Sequence, residues 1–90
     1  MKETEFIINS INVLKTILHN DSKLHIVYAY DKLTNFHIIE ISPENIRRAN
    51  NLYMEWEYNT IKEFTTLFPN SDILISATEK CNDMSNIIYE

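Results

Sequence analysis

Glycine is absent from this chain. Glycine-rich phosphate loops, dinucleotide-binding fingerprints and nucleophile elbows all need a residue without a Cβ, so those function classes are excluded. Turns that require positive backbone angles must use asparagine instead, with Asn20, Asn35 and Asn70 as the candidates. Cysteine occurs once, as Cys81, which rules out an internal disulfide and leaves no sign of an oxidising compartment. Basic residues are also scarce: 8 Lys and Arg stand against 13 Asp and Glu, giving a net charge of -5. Nucleic-acid affinity is dominated by cationic side chains neutralising phosphates, so a nucleic-acid partner is not expected. A partner guided by charge would itself be basic.

No hydrophobic run is long enough to span a membrane. At the start of the chain Lys2 is outweighed by Glu3 and Glu5, and the long apolar centre and small-residue cleavage site of a secretion signal are lacking, so the expected compartment is the cytoplasm. Asn20-Asp21-Ser22 matches the glycosylation pattern but without a secretion signal reads as a turn.

What is present suits a folded protein. Ninety residues with 44% hydrophobic and 11% aromatic content suffice for one domain, residues 1–90, around a single core of modest size. The dominant feature is the stretch from Ser42 to Pro69, read as one long amphipathic helix. Ser42 is placed to cap it, Pro43 fits its first position, Glu44 suits the positive end of the dipole, and Pro69 stops it. At about 100° per residue, Ile46, Ala49, Tyr53, Trp56, Thr60, Phe64 and Leu67 form one apolar stripe. Such a helix would be roughly 38 Å long and would cross a small sheet.

The flanking segments supply that sheet. A first helix is expected from about Thr4 to His19, with Ile7, Ile11, Leu14 and Leu18 on its apolar stripe, widened by Phe6, Val13 and Ile17. A competing reading makes Phe6 to Ile8 a short strand. Leu24 to Tyr30 and Phe36 to Ile41 are rich in branched and aromatic residues and pair naturally as an antiparallel hairpin. With Tyr30 opposite His37, Leu24, Ile26, Tyr28, Tyr30, Ile39 and Ile41 share one face, and Val27, Ala29, Phe36 and Ile38 share the other. Both faces are apolar, which calls for a sheet covered twice, either by a helix on each side or by one layer of helices and a second subunit. Asp72 to Ala77 is a third strand, reached through the long helix as a crossover. The tail from about residue 79 is expected either to add an edge strand or to end loosely ordered. The fold class is α+β in the order αββαβ.

Catalytic chemistry has little support. His25 and His37 point to opposite faces in this register, so shared metal ligation would need a register shift, and neither a metal nor a cofactor is expected. Cys81 has no sequence context that fixes a base beside it, and the carboxylates Glu55, Glu57 and Glu63 read as a solvated helix surface. The more informative feature is a second apolar strip, Met54, Tyr58 and Ile61, at least a quarter turn from the first. Together with Val27, Phe36 and Ile38 on the second sheet face, it marks the candidate protein interface. The expected function is a small acidic, non-enzymatic protein-binding module, acting as a homodimer or as an inhibitor of a basic protein. The alternative is a nucleic-acid-associated regulator using a local patch of Arg47, Arg48, Lys15 and Lys23.

Overall fold

A computed structural model describes residues 2–19 and 21–90. The chain order is α1 (Lys2–Ile17), β1 (His25–Asp31), β2 (Phe36–Ser42), α2 (Glu44–Ala49), α3 (Asn51–Leu67), β3 (Asp72–Ser76) and β4 (Ile87–Tyr89). The architecture is α+β, as the periodicity indicates, with one strand more than expected because the tail does add an edge strand. The competing short strand at Phe6 to Ile8 does not form, since those residues lie within α1.

The hairpin register is the one that the alternation requires. Tyr30 pairs with His37, and Ile26, Tyr28, Ile39 and Ile41 all face the core. A one-residue slip would put all of these on the wrong face, so burial of one side specifies the register. Asn35 closes the hairpin with φ 64°, the single positive φ among the described residues. Asn70 therefore does not take the left-handed conformation expected of it, and Asn20 lies outside the described residues. The sheet order is β3-β2-β1-β4, with β2 and β3 parallel and the other pairs antiparallel. The helical crossover thus delivers β3 directly beside β2.

The long helix is two helices. Ser42 does not cap it, because the β1–β2 ladder extends to the pair His25 and Ser42 and holds Ser42 in the strand. Pro43 takes the cap position in an extended conformation with no side-chain cap bond. Asn50 then interrupts the helical path at φ -91° and ψ 112°, and its side chain accepts a hydrogen bond from the Tyr53 amide at 3.0 Å. Asparagine competes well for this role because its short side chain satisfies an amide that a new helix leaves free. The break resets the phase of the stripe. Ile46, Tyr53, Trp56, Thr60 and Phe64 are buried as expected, whereas Ala49 and Leu67 are exposed.

All three helices lie on one face of the sheet. α1 runs antiparallel to α3: Phe6 packs with Phe64 and Phe68 at centroid distances of 6.0 Å, and farther along Trp56 Nε1 donates to the Ser10 carbonyl at 2.8 Å. Ile7, Ile11, Leu14, Tyr28, Ile39, Ile41, Tyr53 and Phe64 form the centre of the core at zero exposure. Burial of this kind contributes roughly 1.5–3 kcal/mol per large side chain.

Candidate functional site

The two flanks of α3 present different surfaces. On the flank turned from α1 toward β3, Arg47 Nη2 lies 3.0 Å from Glu57 Oε1 and donates to the Ile75 carbonyl at 3.2 Å, while the Tyr53 hydroxyl donates to the same Glu57 oxygen at 2.6 Å. This network ties α2, α3 and β3 together. Burial pushes the Tyr53 phenol well up from its ordinary range, and the neighbouring Glu57 carboxylate adds to the shift. Burial opposes the charge on Arg47, but its bonds to Tyr53 and Glu57 outweigh that and raise its pKa.

Just outside this network lies the expected strip. Met54 and Tyr58 are 47% and 58% exposed, whereas Ile61 is half-buried and packs against the core. At about 100° per residue Ile61 turns toward β3 and the other two turn outward. β3 is an edge strand, with Leu74 at its middle and 37% exposed. An exposed apolar strip therefore borders an open strand edge, the combination that invites pairing with another chain.

The other flank of α3 meets α1 in a groove of about 310 Å³, bounded by Val13 and Ile17 on α1 and by Leu52, Glu55, Trp56 and Glu63 on α3. Sequence reading did not identify it. Leu52 and Val13 are both more than half exposed, and the signal was available in Val13 and Ile17, which widen the α1 stripe beyond what the sheet can cover.

The second face of the sheet is not open in the way that its apolar residues suggest. β3 and β4 lie at opposite edges, so the connecting segment, residues 77–86, must traverse the sheet. It does so on the helix-free face. Glu40 Oε2 accepts from the Glu79 amide at 3.1 Å and from Asn82 Nδ2 at 2.8 Å, and Asn82 also donates to Ser76 Oγ at 3.0 Å. Ile38 is consequently only 4% exposed, while Val27 and Phe36 are half-buried. Ile38 is thereby removed as an accessible contact, because the chain supplies its own cover. A hollow of about 180 Å³ between this segment and the sheet is lined by Phe36, Ile38 and Leu74.

The structure does not bring His25, His37 and Cys81 together. His37 is 1% exposed under α3, whereas His25 is exposed on the opposite face. Cys81 is exposed, and among the described residues no group of three or more His, Cys, Asp or Glu side chains is arranged to hold a metal ion. Arg47 and Arg48 are each ion-paired, to Glu57 and Glu44, and Lys15 lies over the Tyr89 ring. No helix among the described residues is long and apolar enough to cross a membrane. No protein-family model, curated protein or solved structure matches the chain.

Proposed function

We propose that the protein is a non-enzymatic protein-binding module and that it binds a second copy of itself along the edge of β3. The observation that carries this reading is the position of Met54 and Tyr58, both exposed, beside an edge strand that pairs, among the described residues, only with β2. Antiparallel pairing of β3 with its mate about Leu74 sets Leu74 against Leu74 on one face and Ile73 against Ile75 on the other. The apolar strips of the two α3 helices then meet above the joined sheet, removing Met54 and Tyr58 from water. Arg47 already engages the Ile75 carbonyl, which retains a second lone pair for the new ladder.

Leu74→Cys in a Cys81→Ser background tests this arrangement. Residues directly opposite each other in an antiparallel pair have Cα atoms roughly 4.5–5.5 Å apart, within disulfide range. Mild oxidation should yield a covalent dimer of the folded protein, and a chain that stays uncrosslinked would refute pairing through β3.

A further inference from the structure

The groove between α1 and α3 has no role in self-association through β3, because it lies on the opposite flank of α3. Its floor is the Trp56 ring, 6% exposed, whose N–H is already satisfied by the Ser10 carbonyl. Its apolar walls are Val13, Ile17 and Leu52, with Val13 54% and Leu52 57% exposed. No Lys or Arg lines this section. The charges present are Glu55 and Glu63, both exposed, and neither forms an ion pair among the described residues. They stand about 12 Å apart along the helix, two turns at ~1.5 Å per residue. The groove continues at one end past Leu52 toward Asp21, Lys23 and Asn50, and at the other past Glu63 toward Lys62 and Leu67, the last 55% exposed.

We infer that this groove is a docking site for a basic amphipathic helix from another protein. An antiparallel helix pair offers a long furrow that accepts a third helix, and apolar side chains at helical spacing on that helix would seat against Val13, Leu52 and Trp56. Lys or Arg residues two turns apart on its flank would meet Glu55 and Glu63. An acidic helix of the same shape would place like charges together and be rejected, so the two glutamates select the partner by sign. The overall charge of -5 favours the encounter with such a partner.

Trp56 is the single tryptophan of the chain, so its fluorescence reports directly on the groove. The probe is a synthetic Leu/Lys amphipathic peptide of about 17 residues, compared with its Leu/Glu counterpart. The Leu/Lys peptide should change Trp56 emission saturably, and the Leu/Glu peptide should bind at least about tenfold more weakly. Glu55→Lys with Glu63→Lys should weaken Leu/Lys binding about tenfold or more. Glu79→Lys with Glu90→Lys, which changes net charge equally away from the groove, should retain it. Equal binding of both peptides, equal loss in the two variants, or no saturable change would overturn the inference. The same titration in Tyr58→Asp should give unchanged affinity, whereas a loss there would overturn the separation of the two flanks. Failure of β3 pairing and failure of groove binding are thus read independently.

Discussion

The Tyr28 hydroxyl lies 2.6 Å from Nδ1 of His37, with both side chains sealed beneath the helical layer at 0% and 1% exposure. Tyr28 sits on β1 and His37 on β2, and Phe64 of α3 closes over the imidazole at a centroid distance of 5.7 Å. Thr4 of α1 also reaches the hydroxyl at 3.3 Å, so one polar contact links both strands to the first helix. Burial pushes the Tyr28 phenol up to about 12, which keeps it protonated as a hydrogen-bonding partner for Thr4 and His37.

Removing that hydroxyl should be costly. Tyr28→Phe leaves His37 Nδ1 without its partner in a dry site, and an unsatisfied buried polar group costs roughly 1–3 kcal/mol. Chemical denaturation should show a loss of that size. An unchanged midpoint would mean that the contact carries no net stability.

Acid should destabilise the fold through the same imidazole. Burial depresses the His37 pKa below its ordinary value of 6.5, with the Glu3 carboxylate opposing more weakly. The unfolded chain therefore binds a proton at a higher pH than the folded one. The stability from neutral His37 is complete above the unfolded value and is lost as pH falls from there toward the folded value. The melting temperature should drop as pH falls below about 6.5, and His37→Asn, which keeps a polar atom near Nδ1 but does not titrate, should show a smaller drop. Parallel pH profiles would contradict this origin.

The break between α2 and α3 depends on Asn50. Asn50→Ala removes the cap on the Tyr53 amide and should cost about 1 kcal/mol, while Asn50→Asp should retain most of the stability. A more stable Asn50→Ala protein would show that a continuous helix is compatible with the sheet.

Much of the architecture was legible in the sequence because burial imposes a period. The alternation in Leu24 to Tyr30 and Phe36 to Ile41 was sufficient to place Tyr30 opposite His37, since any slip exposes Ile26, Tyr28, Ile39 and Ile41. The break at Asn50 was less legible, because residues on both sides have helical periodicity and the interruption rests on one side chain bonding its own downstream amide. That the second sheet face is covered was legible, but that the chain's own polar segment covers it, in place of a helix or a second subunit, was not. Residues 77–86 are polar, and they cross the sheet because the strand order separates β3 from β4, a property of topology and not of local pattern. Met54 and Tyr58 emerged exposed as their helical phase indicates, but the groove was missed because it belongs to two helices jointly.

The Arg47 and Glu57 pair tests how firmly β3 is attached. Their side chains are 22% and 27% exposed, so screening by solvent is partial. Glu57→Gln weakens a charge-assisted bond and removes the acceptor charge for Tyr53, and should cost roughly 1.5–3 kcal/mol. Hydrogen exchange should quicken at Ile73 and Ile75 before it does in β1. Uniform protection across the sheet would exclude this role.

Self-association through β3 is tested most directly by the absolute mass of the purified protein in solution, measured by light scattering across a range of concentrations. The chain mass is 10.7 kDa. The expected result is a mass that rises to twice that value with concentration, and that stays at the chain mass in a Met54→Asp, Tyr58→Asp variant of unchanged fold. A wild-type protein that remains at the chain mass at every concentration would contradict it.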